Sequence, residues 1–303
     1  MTTTPLPGPA APAARPARPR RTTAVGGWLG ALPLLLFTGL CFGVPLIALL
    51  TGAFTTTDPV TGTTVATTDH LTRSLRGHYL DALLGSLRLS LITAAIGAVA
   101  GTLLARAIVT SRSRILRDLT LTASGVLANF GGVPLAFAFI ATLGISGVVT
   151  RMGDLGARGW SLYTFSGLVL VYLYFLIPLM VLVTLPALDG LRPQWREAAL
   201  DSGAGTLRYW WHIGLPILTP ALLGGFVLLF GTAFAAHATA AALVGSGGML
   251  PLVTLKIADA LGGNVLIGQE GVALALALDM IAVAAVVMAV YLPLQRRSAR
   301  WLR

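Results

Sequence analysis

Charge is what this chain has least of. Only 11% of its 303 residues are Asp, Glu, Lys or Arg, and 55% are hydrophobic, where soluble domains carry about 25% charged residues. Lysine is nearly missing: Lys256 stands alone beside 20 arginines, against 11 acids, for a formal net charge of +10. A Walker loop needs Gly-Lys-Ser/Thr to cradle phosphates. Leu255-Lys256-Ile257 supplies none, so the chain is not expected to be an ATPase or to carry a cofactor. One cysteine, Cys41, excludes an intrachain disulfide and any cysteine-built metal cluster. Set in an apolar run, it reads as an inert thiol. The four histidines, His70, His78, His212 and His237, form no HExxH pattern, so no metal site is expected. Basic excess can signal nucleic acid, but these arginines sit in short clusters between apolar runs. The expected partner is a lipid bilayer, with no nucleic acid.

Long apolar runs fill the space left by charge. A span needs about 20 predominantly apolar residues to cross a hydrocarbon core roughly 30 Å thick. Six segments qualify: Trp28–Phe54, Leu83–Val109, Leu119–Leu143, Ser166–Leu188, Pro216–Val244 and Val272–Leu294. Each must be helical, because the bilayer offers no water to satisfy backbone amides. The expected fold class is therefore an all-α integral membrane protein with six transmembrane helices over residues 25–303. Residues 1–24, rich in Pro, Ala, Thr and Arg, bury too little apolar surface to order themselves and read as a basic tail. Gly39/Gly43 and Gly97/Gly101 have the GxxxG spacing that lets helices approach closely.

The arginines orient the spans. The tail, the loop with Arg112, Arg114 and Arg117, the loop with Arg192, Arg196 and Arg208, and the C-terminal Arg296, Arg297, Arg300 and Arg303 fall on one side, expected to be cytoplasmic. The opposite loops carry most of the acids. Residues 55–78 are a Thr-, Asp- and Gly-rich outer loop; 245–271 form a second, read either as a short surface helix over LPLVTLKIADAL or as a plain connection.

The most specific stretch is the polar island 189–216. Asp189-Gly190 closes the fourth span, glycine suiting the left-handed turn that ends a helix. Pro193 fits the first turn of a new helix, and Glu197 falls near the positive end of its dipole. Ala198 and Ala199 are small enough for another surface to approach, and Gly203 permits a bend. A second short helix, about Gly205 to His212, carries Leu207, Arg208, Trp210 and Trp211. The tryptophans either sit in the membrane interface or enter a partner's groove. Leu215-Pro216 reads as the stop of that helix and the start of the fifth span.

The spacing of Glu197, Ala198, Ala199, Gly203, Ile213, Leu215 and Pro216 resembles the EAA signature of type I ABC-importer permeases, the binding-protein-dependent transport subunits. The resemblance implies a half-channel pairing with a second permease, identical or a paralogue. Its loop would dock into a cytoplasmic ABC ATPase dimer that holds the ATP and magnesium, and an extracytoplasmic binding protein would deliver the solute. It also implies the bacterial cytoplasmic (inner) membrane. The segment Asn129-Phe130-Gly131-Gly132-Val133-Pro134 and the layout resemble permeases of the polyamine, iron, sulfate and phosphonate group.

Ionisable residues inside spans are costly and are functional candidates by default. Asp279 in the sixth span lines a cation pathway or pairs with another helix. His237 is a pathway residue or a helix–helix donor. Arg88 snorkels or contacts an anion, Arg106 snorkels at the inner end, and Asn129 makes a packing hydrogen bond. A pathway-facing Asp279 favours a cation such as spermidine or putrescine; a pathway-facing Arg88 favours phosphonate or sulfate. The competing reading is an ion-gradient-driven secondary transporter, which requires paired broken helices; the sequence displays none.

Overall fold

The computed structural model describes residues 24–57, 63–111, 113–245, 250–262 and 269–299. Residues 1–23 of the expected tail, with Arg112, Arg300, Arg303 and the glycine-rich 246–249, lie outside them. Two units separate, Met1–Ala48 and Leu49–Arg303. The first holds most of α1 (Ala24–Phe54). Its Leu34, Phe37, Phe42 and Ile47 are exposed, as is Cys41, and nothing stands within 4 Å of a Cβ built on Gly39 or Gly43.

The second unit starts with a small antiparallel hairpin, β1 (Thr55–Thr57) and β2 (Thr64–Ala66), registered Thr55 to Ala66. Threonines, β-branched and polar, suit such an exposed ribbon, so the expected outer loop is partly structured. Helices follow: α2 (Asp69–Ser74), α3 (Gly77–Thr110), α4 (Arg114–Asn129), α5 (Val133–Leu143), α6 (Val148–Gly153) and α7 (Phe165–Asp189). After the polar island come α8 (Pro193–Asp201), α9 (Thr206–Tyr209), a π-helical turn at Trp210–Gly214, α10 (Leu215–Ala235), α11 (Ala238–Val244), α12 (Val253–Leu261) and α13 (Glu270–Ala299).

The core forms where α3, α7 and α10 cross, around Leu89, Tyr172, Leu176, Met180 and Leu229, each at most 2% exposed. Glycine makes the crossing possible. A Cβ on Gly101 would stand 2.5 Å from Met180 Cβ and 2.8 Å from the Ile177 carbonyl, and one on Gly97 would stand 3.0 Å from Leu229 Cδ2. The Gly97/Gly101 pair is thus a true helix contact. Gly101→Val is expected to force α3 off α7 and cost about 1–3 kcal/mol, read as a lower thermal unfolding midpoint of the purified protein; an unchanged midpoint refutes the crossing.

Among the described residues, six helical segments are long and apolar enough to span a bilayer: Leu32–Phe54, Gly77–Thr110, Val133–Gly153, Phe165–Asp189, Thr206–Ala235 and Glu270–Arg297. Four correspond closely to the expected spans, and the third and fifth depart from them. The third expected span, Leu119–Leu143, is broken between α4 and α5 at Phe130–Gly132, where Gly132 takes φ +82°. Eleven-residue α5 is about 16 Å long, too short to cross alone, and the segment of spanning length runs on through α6 to Gly153. The fifth starts earlier: the chain stays helical from Thr206 through Leu215-Pro216, so the expected stop there is absent. Pro216 would crowd the carbonyl four residues back. The wider turn just before it, where the Leu215 amide bonds to the Trp210 carbonyl, takes up that strain. The fifth span then breaks at Ala236-His237, before α11.

The second outer segment resolves toward a helix. α12 buries Val253, Leu255 and Ala260, and the Val253 amide donates to Ser86 Oγ of α3 at 2.8 Å.

Candidate functional site

The polar island is a compact device below α3 and α7. Pro193 occupies the first turn of α8 as expected. The helix ends in a complete Schellman turn: the Gly203 amide donates to the Leu200 carbonyl and the Ala204 amide to the Ala199 carbonyl, both at 2.9 Å. Gly203, at φ +76°, is the left-handed residue this turn requires. Glu197 and Ala198 are exposed, while Ala199 is turned inward and buried.

A groove of about 370 Å³ collects Trp195, Ala198, Ala199, Ser202, Ile213 and Ile217. The structure therefore brings together Ala198, Ala199 and Ile213 from the signature positions. Glu197 stands outside the groove in solvent, and Leu215 and Pro216 enter α10, half-buried. Trp195 was missed, although its place three and four residues before Ala198 and Ala199 puts it on their face of the helix.

The adjacent tryptophans divide. Trp210 turns inward onto the cluster of Ala105, Ile108, Val181, Leu185, Leu188 and Leu218, with the Arg106 guanidinium 4.3 Å above its ring. Arg106 is thus held by an indole rather than simply snorkelling. Trp211 remains 64% exposed, and Leu207 74%; Arg208 is exposed as well. One residue is a 100° rotation on a helix, so adjacent aromatics cannot share a role. Gly214 lies against the half-buried ring: a Cβ there would be 2.7 Å from Trp210 Cε3. Arg117 of α4 pairs with Asp189 at the end of α7, placing the start of α4 level with the end of α7.

The two helix breaks meet. Gly132 donates its amide to Thr239 Oγ1 at 2.9 Å, and Tyr172 Oη donates to the Ala236 carbonyl at 2.9 Å. Tyr172 lies seven residues inside the N-terminal end of α7, so the second break is about 10 Å along that helix from its start. Asn129 and His237, both exposed, flank this junction, beside Phe130 at 43% exposure. Asn129 bonds back to the Gly125 carbonyl at 3.0 Å, which is a helix-end contact and not the expected interhelical one. His237 makes no side-chain hydrogen bond among the described residues, so the donor role expected for it is not seen. Tyr172 and Thr239 were overlooked; a tyrosine inside an apolar helix is itself a signal, because its hydroxyl needs a partner.

Asp279 is 8% exposed, and its carboxyl faces Ser74 of α2. Its Oδ2 has no partner among the described residues. It is packed between α13 and α2. Arg88 is exposed and lies 5.5 Å from the Phe165 ring centroid, beside a cavity of about 330 Å³ that Pro251 and Leu252 also line. His70, expected to be solvated, packs onto the first turn of α13: a Cβ on Gly271 would be 2.4 Å from its Nε2. Among the described residues, no three His, Cys, Asp or Glu cluster as a metal site would need.

One curated relative, an inner membrane ABC transporter permease protein, YdcU, of Escherichia coli (strain K12), is 32% identical over 94 residues. That alignment spans 30% of each chain. A solved bacterial ABC transporter involved in importing the acidic polysaccharide alginate superposes with a TM-score of 0.65 at 20% identity, covering 91% of this chain and 96% of that one. A second structure, a bacterial alginate ABC transporter in complex with alginate pentasaccharide-bound periplasmic protein, gives 0.67 at 19% identity, covering 90% and 94%. At such identities the likeness is one of fold. The sequence profile of the binding-protein-dependent transport system inner membrane component matches residues 97–300, two thirds of the chain. This protein therefore belongs to that family, the multi-pass inner-membrane permease subunits of ABC importers.

Proposed function

We propose that this subunit forms half of a translocation pathway and couples ATP hydrolysis by a separate ATPase dimer to uptake of a small solute. The observation that carries the reading is α8, an exposed helix that presents Glu197 and Ala198 outward, is closed by a Schellman turn, and is followed by Trp210, which packs onto α3, α7 and α10. A helix joined to the spans through that packed turn transmits displacement; a loose loop does not. The arginine-rich side, with both termini, is then cytoplasmic, and ATP and magnesium belong to the partner chain. A second permease, identical or paralogous, completes the pathway, and an extracytoplasmic binding protein supplies the cargo, as the periplasmic protein in the alginate complex suggests.

Burial of Asp279 removes the ground for a polyamine cargo. The junction of the two breaks carries an amide, an imidazole and an aromatic ring, a set suited to a neutral or anionic solute rich in oxygen atoms. Sulfate and phosphonate fit that set, as do sugars. The broken helices are what the ion-gradient reading required, but that reading leaves the presented face of α8 without a use.

The test is co-purification with the cognate ATPase. Glu197→Ala is expected to weaken association about tenfold, the value of one charge-assisted contact, with folding unchanged because the side chain is exposed. Undiminished association together with wild-type ATP-driven uptake would defeat the proposal.

A further inference from the structure

A second cavity, of about 500 Å³, lies on the opposite side of α8 from the Trp195 groove, between that helix and the ends of α3 and α7. Arg106, Arg192 and Arg196 line it, with Thr110 and Trp210 between them and no acidic residue. Among the described residues, none of the three arginines is in an ion pair. All three are exposed, so their N–H donors face solvent and are open to an anion entering the cavity. Arg106 lies against the Trp210 ring, which engages the face of its guanidinium and leaves the N–H edge free to donate. The deeper wall is apolar: Val109, Leu188 and Leu191.

We propose that this cleft binds the phosphodiester headgroup of an anionic phospholipid. Phosphate is the anion that planar, forked guanidinium groups match best. The apolar wall and the position at the end of α7, where span gives way to polar loop, favour a headgroup carrying acyl chains over free phosphate. Basic pockets between spanning helices take such headgroups in general. A lipid there would wedge α8 against the spans. The site uses Arg192, the N-cap of α8, and Arg196, one turn on; Arg192 also lies 5.9 Å from the Trp195 ring centroid, while Ala198 and Ser202 stay outside the site. It stands independently of the coupling role.

The test uses the full-length protein in phosphate-free detergent, titrated with phosphatidylglycerol, with phosphatidylcholine and with inorganic phosphate. Native mass spectrometry counts retained lipid, and the unfolding midpoint is followed in parallel. Phosphatidylglycerol is expected to be retained and to raise the midpoint saturably, with phosphatidylcholine doing neither. R192Q/R196Q is expected to weaken retention at least tenfold, each lost charge-assisted contact being worth about that much. R151Q/R158Q, which removes equal charge elsewhere, is expected to change nothing. Should the double variant fail to fold, R196Q alone, at an exposed position, gives the same reading. Equal retention by R192Q/R196Q, or no preference for phosphatidylglycerol, overturns the proposal. So does inorganic phosphate reproducing the whole shift, which would make the ligand a free anion. Loss of ATPase association in the double variant without any lipid retention by the wild type also overturns it, assigning the arginines to a protein partner.

Discussion

Gly214→Leu is expected to abolish ATP-driven uptake while leaving the six spans folded. The Cβ alone would stand 2.7 Å from Trp210 Cε3 and 3.1 Å from Cζ3, and a leucine adds three further carbons in the same direction. Trp210 cannot easily yield, since its ring is held under Arg106 and against Leu188 and Leu218. Something must move by a large fraction of an ångström, and the least costly motion displaces the α8–α9 device relative to α3 and α7. Overpacking of this kind costs about 1–3 kcal/mol. That is small against the stability of a six-span bundle but enough to misplace a docking surface and lower transport more than tenfold. ATPase co-purification and uptake in reconstituted vesicles measure it. A second variant separates geometry from damage: in G214L/W210L the obstructing ring is gone, and partial recovery of coupling is expected from non-additivity between contacting residues. Full activity of Gly214→Leu would show that the ring has no part in holding the device.

The same two residues mark how far the sequence could be read. Composition and run length alone identified the membrane fold, because a run of about 20 residues with so little charge suits hydrocarbon and not water. Pro193 and Gly203 announced the ends of α8, since each suits one backbone role there. What escaped was the difference between Trp210 and Trp211, decided by which side of the helix meets the spans. Leu215-Pro216 looked like a boundary because proline usually is one, and only the widened turn before it lets the helix continue.

The two helix breaks differ in legibility. Gly131-Gly132 followed by Pro134 is a recognisable stop and restart, hidden because the surrounding run is apolar enough to pass as one span. Ala235-Ala236-His237-Ala238 contains no helix breaker at all. That break depends on Tyr172, 64 residues away in sequence, accepting the cost of burial to donate to the Ala236 carbonyl. Asp279, open from the sequence to a pathway or a packing role, takes a packed position. Its rarity in an apolar helix made it conspicuous, yet the structure buries it against α2. The polar residues left exposed near the junction are the modest ones, Asn129 and His237.

Removing the supports of the breaks should therefore have the largest consequence for the integrity of the fold. Tyr172→Phe leaves the Ala236 carbonyl without its donor, and Thr239→Val leaves the Gly132 amide without its acceptor. Each orphaned group at this depth costs about 1–3 kcal/mol, and the pair should be non-additive, because the two bonds fasten the same junction of α5 and α11. The combined variant is expected to lower the unfolding midpoint more than either change alone. It should also speed amide hydrogen exchange across α11, with α3 and α7 still protected. Thr239→Ser keeps the hydroxyl and should behave as the wild type; if it falls as far as Thr239→Val, packing of the threonine methyl is the support and the hydrogen bond is not. Broken backbone at membrane depth is tolerated only where protein or a water-lined cavity covers it. With both breaks held in place by buried side chains while His237 and Asn129 stand exposed beside them, the face they share is unsuited to lipid.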